Sequence, residues 1–173
     1  MSSFYRVFMG EVAISMPQNP KILGTDGLIS CIGFAGWDPN KHIAFLVHFG
    51  GQNQVDDFYS RGIEILLSSG NGNFNFDCAI RGGCQKTSAS FEILEKLREG
   101  LDRHPHVKFH IKYEIPPSPN FTSKSLSVNG FSGEFSSYNI DNDLNPRKKT
   151  SEEEARGSGF SLVDELEYKN SSG

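Results

Sequence analysis

Two apolar runs flank Asp38-Pro39-Asn40-Lys41. Aspartate in first place and proline in second favour a tight turn, so the chain must double back there as a β-hairpin. If Asp38 and Lys41 close the turn, Cys31 falls directly opposite His48. The same register pairs Ile32 with Val47 and Phe34 with Phe45 on a bulky face. Gly33 then meets Leu46, and Ala35 meets Ala44, on a face of small residues beside the cysteine and histidine. Directly opposed Cβ atoms lie about 4.5–5.5 Å apart, within reach of a thiol–imidazole contact. Pro39 cannot take the positive φ of a type I′ turn, so a longer loop stays open. One more residue would send Cys31 and His48 to opposite faces unless a bulge near Gly33 or Gly36 restored them.

The rest of the chain reads as an α+β domain over residues 1–138, followed by a polar tail over 139–173. Phe4–Ser15 is expected to form a strand. Val55, Phe58, Tyr59, Gly62, Ile63, Leu66 and Leu67 recur at helical spacing, and Ser68-Ser-Gly-Asn-Gly72 ends that helix. Phe74, Phe76, Cys78 and Ile80 alternate as a strand. Thr87 or Ser88 caps a second helix with Phe91, Leu94, Leu97 and Leu101 on its inner face. Val107–Ile115 alternates again, and Ser123–Asn129 with Gly133–Tyr138 forms a closing hairpin. Two helices among six to eight strands make an α+β domain with one or two sheets. From Ile140 onward the chain carries eight acidic and five basic residues and almost no aromatics, a composition expected to stay solvated and disordered. Phe160, Leu162, Val163 and Leu166 offer at most one apolar helical face, as a docking peptide.

Net charge is −4 with no basic block, so nucleic-acid binding lacks its electrostatic footprint. No apolar run reaches the length of a membrane span, and no secretory signal precedes Phe4. Three cysteines make a disulfide framework unexpected, which suits a cytoplasmic chain with reduced thiols. Cys78 reads as core, and Cys78-x₅-Cys84 is not a usual zinc spacing. His104-Pro-His106 reads as a helix-end contact or solvated loop rather than a metal site. Gly70–Gly72 and Gly82-Gly83 lack the pattern of a phosphate loop. Gln52, Asn53 and Gln54 either contact a substrate or merely open a helix.

A cysteine facing a histidine is the minimum for thiol nucleophilic catalysis, in which the imidazole holds and returns the proton. An imidazolium there would lower the Cys31 pKa below the free value of about 8.5. A buried cysteine beside a histidine is also a common structural coincidence.

Thr25-x-Gly27-Leu28-x-Ser30-Cys31, then Asp38-Pro39 and His48, resembles the CheD family of chemoreceptor glutamine deamidases. A threonine, a cysteine six residues on and a histidine seventeen further keep that family's spacing. Gly10-Glu11, Arg81-Gly82-Gly83 and Lys124-Ser125-Leu126 through Gly133 follow in the same order. The resemblance covers nearly all of residues 4–138, and the Leu-x-Ser-Cys turn also recurs in deamidase toxins of the cytotoxic necrotizing factor type. Ile29, Phe49-Gly50-Gly51-Gln52 and Cys84-Gln85 depart from the family pattern, which bears on substrate identity more than on chemistry.

The resemblance implies a layered α/β/β sandwich and hydrolysis of a protein glutamine to glutamate with release of ammonia. It assigns Cys31 as nucleophile, His48 as proton carrier and Thr25 as the group that orients the imidazole. Backbone N–H groups near Ser30 and Cys31 would hold the oxyanion, and Gly82-Gly83 would let a substrate backbone approach. Neither a metal nor an organic cofactor is implied. The expected partner is a protein with an exposed glutamine: a chemoreceptor or, for an exported bacterial effector, a host regulatory protein. The expected state is a monomer. A non-catalytic module docking a chemotaxis phosphatase or receptor is the alternative, and transglutaminase activity a lesser one.

Overall fold

The computed structural model describes residues 3–138 and 165–171. Among the described residues ten strands form two sheets. They are β1 (Phe4–Arg6), β2 (Glu11–Ser15), β3 (Ile22–Thr25), β4 (Ile32–Asp38), β5 (Ile43–Phe49), β6 (Phe74–Gly82), β7 (Val107–Glu114), β8 (Leu126–Asn129), β9 (Phe135–Ser136) and β10 (Glu167–Asn170). The smaller sheet has the order β1-β3-β8-β9 and the larger β10-β2-β5-β4-β6-β7. Helical segments α1 (Gln52–Asp57) and α2 (Ile63–Ser69) are joined by a π-helical turn over Phe58–Gly62; α3 spans Ser88–Gly100.

Because side chains alternate across a strand, the larger sheet builds two cores. Ile32, Phe34, Phe45, Val47, Phe49, Phe76 and Cys78 pack against Phe58, Leu66, Ile93 and Leu97 of the helices. On the other face Ala13, Ala35, Ala44, Leu46 and Ala79 meet Leu23, Leu126 and Val128 of the smaller sheet. The bulky-versus-small division read from the hairpin therefore separates helix-to-sheet from sheet-to-sheet packing. The fold is an α+β sandwich with helices, a large sheet and a small sheet in successive layers.

Several elements differ from the sequence reading. Phe4–Ser15 is two strands in different sheets, because Gly10 at φ +79° turns the chain between them. Thr87 caps α3 by accepting from the Ser90 N–H, as its residue type suggests. Its inner face is Ser90, Ile93, Leu94 and Leu97, whereas Phe91 is 48% exposed. Phe91 is therefore a surface residue, and Phe91→Ser should change unfolding free energy by no more than about 0.5 kcal/mol in urea titrations.

The largest departure is the tail. Glu167–Asn170 adds to β2 as a parallel edge strand, and Leu166 is buried in the helix-side core. The expectation of a solvated, mostly disordered tail does not hold for residues 165–171. Leu166 and Tyr168 carry enough apolar surface, and the Asp57 carboxylate accepts from the Leu166 N–H at 2.9 Å. Phe160, Leu162 and Val163 lie outside the described residues.

Candidate active site

The site begins with the hairpin, whose register is shifted from the expected one. Asp38 pairs with Ile43, so Pro39–His42 is a four-residue loop. Asp38 Oδ1 accepts from the Asn40 and Lys41 N–H groups, and the Asp38 carbonyl accepts from the His42 N–H. His42 takes φ +54° and stacks on Trp37. This loop avoids the positive φ that Pro39 cannot adopt. The pairing accordingly moves by two residues, and Gly33, not Cys31, faces His48. An even shift preserves the face of every side chain. Cys31, in the bend just before β4, thus becomes the diagonal neighbour of His48, a relation that spans roughly 7–8 Å between backbones and less between side chains.

Thr25 closes the group from the other sheet. Its Oγ lies 2.7 Å from the Val7 carbonyl oxygen and 2.7 Å from His48 Nδ1, all buried. A hydroxyl has one proton and a carbonyl can only accept. The Thr25 hydroxyl therefore donates to Val7 and accepts from Nδ1–H. This arrangement places the imidazole proton on Nδ1 and leaves Nε2 as the basic nitrogen. The histidine backbone is also fixed, since its carbonyl accepts from the Gly10 N–H at 2.9 Å. Beside Thr25, Arg6 clamps Asp26 with Nη2 3.0 Å from both carboxylate oxygens, tying β1 to the end of β3.

The loop from Asp26 to Cys31 is anchored at several points. Gly27 turns at φ +69°, the Leu28 N–H donates to the Lys124 carbonyl, and the Leu28 side chain lies over Gly33. Ser90, buried on α3, donates from its hydroxyl to the Ser30 carbonyl at 2.8 Å and accepts from the Cys84 N–H at 2.9 Å. The Ser30 carbonyl and Cys31 N–H belong to one trans peptide, so holding the carbonyl toward α3 turns the N–H away from the helix layer. Cys31 itself packs on the sheet-to-sheet side.

Gly82 and Gly83 serve this loop directly. A Cβ on Gly82 would stand 2.5 Å from the Cys31 carbonyl oxygen, and the residue sits at φ +115°. A Cβ on Gly83 would stand 2.9 Å from Ile32 Cδ1. The close approach expected of a substrate backbone is made at Gly82 by the chain's own Cys31. We expect Gly82→Ala to cost roughly 2–3 kcal/mol of stability, through strain and collision, and to displace Cys31. Thermal unfolding and the Cys31 alkylation rate read both effects.

Electrostatics also depart from the sequence reading. Burial pushes the Cys31 thiol up to about 11, against a smaller lowering by a hydrogen bond to the Ser30 side chain. The expected depression by an imidazolium is not what governs it. At neutral pH Cys31 rests as a thiol.

The remaining candidates occupy other places in the fold. Cys78 is core, and Cys84 is buried against Ser90. His104 stacks on Tyr59, with its pKa lowered by burial and then by Arg103; His106 Nδ1 lies 3.1 Å from Asn73 Oδ1. Gln54 accepts from the Gly50 N–H, securing the start of α1, while Gln52 and Asn53 are exposed. Among the described residues no group of three His, Cys, Asp or Glu could hold a metal, and no helix is long and apolar enough to cross a membrane. Ser90 escaped the sequence reading because its role depends on a loop sixty residues away. No family model matches this sequence, and no curated protein matches it.

Proposed function

We propose that the chain is a cysteine-dependent protein-glutamine deamidase of the CheD type. The observation that carries this reading is the Thr25–His48 hydrogen bond, which leaves Nε2 as the basic nitrogen of a histidine in diagonal register with Cys31. Sγ attacks the carbon of the glutamine side-chain amide as its proton passes to Nε2. The Cys31 N–H, turned away from α3, donates to the oxyanion. The resulting imidazolium gives its proton to the departing ammonia and leaves a thioester. Water, deprotonated by the same Nε2, then cleaves that thioester to glutamate and restores the thiol. Each proton taken is returned, so no external acid or base is consumed.

The raised thiol pKa means that His48 takes the proton during attack instead of storing a thiolate beforehand. It also favours a second reading, a binding module with an inert buried cysteine. Ammonia release separates the two: wild type should liberate ammonia from an unfolded, glutamine-rich protein such as casein, and Cys31→Ala should not. An added primary amine incorporated in place of water would reveal transglutamination.

Alkylation rates across pH give a further prediction. With burial in control, the Cys31 midpoint should lie near 11 in wild type and stay high in His48→Ala. A wild-type midpoint at or below about 8.5 would instead indicate a standing thiolate–imidazolium pair. Cys31 should still alkylate before Cys78 and Cys84, because it is half-buried and they are fully buried.

A further inference from the structure

At the open edge of the sandwich, the larger sheet extends past the smaller one. β9 is only two residues long, and between it and the outer strands β6 and β7 lies a cavity of about 670 Å³. Ligand pockets typically enclose about 300–1,000 Å³. Its floor is Ala79 and Leu126, with Trp37 at one end, Tyr113 and Phe135 along the side, and Arg81 at the other end. The two side-wall rings meet edge to face at 6.0 Å.

Two features suggest a built site. The first is a bulge between Cys78 and Ala79 in the β6–β7 pairing: Cys78 pairs with Ile111, but Ala79 pairs with Tyr113. Residues two apart normally share a face, yet Ile111 packs on the helix side while Tyr113 lines the cavity. The extra residue, Lys112, re-aims the tyrosine, which lines the cavity and is 63% exposed.

The second is the charge on Arg81. Nη1 donates to the Ser125 carbonyl at 3.0 Å, but Nε is shielded from solvent and meets no acceptor among the described residues. No described carboxylate lies within ion-pairing distance. Asp77, in the same lining, pairs with Lys112 at 3.9 Å, and exposed Glu134 follows Gly133, which abuts Trp37 at the opposite end. A shielded guanidinium N–H without an acceptor is expensive, and a carboxylate is the group that best fits its fork.

We propose that this cavity binds a small ligand with a flat apolar body and one carboxylate. The carboxylate engages Arg81, and the body lies between Tyr113, Phe135 and Trp37. This proposal is independent of the chemistry at Cys31, and binding alone tests it. Isothermal titration of the full chain with 2-naphthoate and its neutral analogue 2-naphthamide should show the acid binding at least tenfold more tightly. Arg81→Gln should abolish that preference, and Tyr113→Ser, which alters an exposed side chain, should weaken both probes. Equal affinity of the two probes for wild type would overturn the assignment of Arg81. Failure of both to bind at millimolar concentration, or binding unchanged in Tyr113→Ser, would overturn the site.

Discussion

Truncation after Asp164 is expected to lower the unfolding free energy by about 3–5 kcal/mol, although it removes only nine residues of polar composition. Burying Leu166 accounts for roughly 1.5–3 kcal/mol of this. The rest comes from neighbouring contacts. Tyr168 lies under the Arg61 guanidinium, 4.7 Å from its ring centroid, and donates from its hydroxyl to the Asp57 carbonyl. Lys169 Nζ stands 3.6 Å from the fully buried carboxylate of Glu11, whose other oxygen accepts from the Phe8 N–H. Removing the strand takes the cation from beside that carboxylate and bares the edge of β2. Urea unfolding measures the loss, and Leu166→Ala alone should account for about 2–3 kcal/mol. An unchanged midpoint in the truncated chain would mean that β10 does not pack in solution. Glu11 also follows Gly10, whose N–H holds the His48 carbonyl, so truncation should reach the candidate site through β2.

His48→Ala is expected to reduce deamidation by a factor on the order of 10²–10⁴, the usual contribution of a positioned proton carrier. In the proposed mechanism the substitution removes both the base that accepts the thiol proton and the acid that expels ammonia. In the same mechanism Thr25 acts only through His48, as a positioning residue. In Thr25→Val the acceptor for Nδ1–H disappears, and the ring is free to place its proton on Nε2, which cannot then take one from sulfur. A smaller loss of turnover follows, and Thr25→Ser, which keeps the hydroxyl, should restore most of it. A purely structural threonine would not separate serine from valine in this way. His42→Ala, at the far end of the hairpin, should leave turnover unchanged.

The candidate group was legible because its members lie where sequence rules are strong. Asp38-Pro39 identifies the hairpin, and alternation assigns Ile32, Phe34, Phe45 and Val47 to one face whatever the loop length, provided the shift is even. The register itself was not legible. It depends on His42 adopting a positive φ, a conformation uncommon for any residue but glycine. The Cys31 pKa departs from the expected depression for a related reason: opposite charge is visible in a residue list, whereas burial is a property of the assembled layers. Gly82 shows the same limit, since what its missing side chain admits is the Cys31 carbonyl from another strand. In the tail, helical spacing grouped Leu166 with Phe160, Leu162 and Val163 as a docking face, whereas Leu166 and Tyr168 suffice for an edge strand when β2 is available as a template.

The central claim is that Cys31, with His48 as its proton carrier, converts protein glutamine to glutamate. Its most direct test incubates bacterial and host-cell lysates with wild type, Cys31→Ala or His48→Ala and maps, by peptide mass spectrometry, glutamines that gain one mass unit. Wild type should produce such sites on a small set of proteins, Cys31→Ala should produce none, and His48→Ala only traces. The same sites appearing with Cys31→Ala, or no site appearing with wild type in either lysate, would contradict the claim.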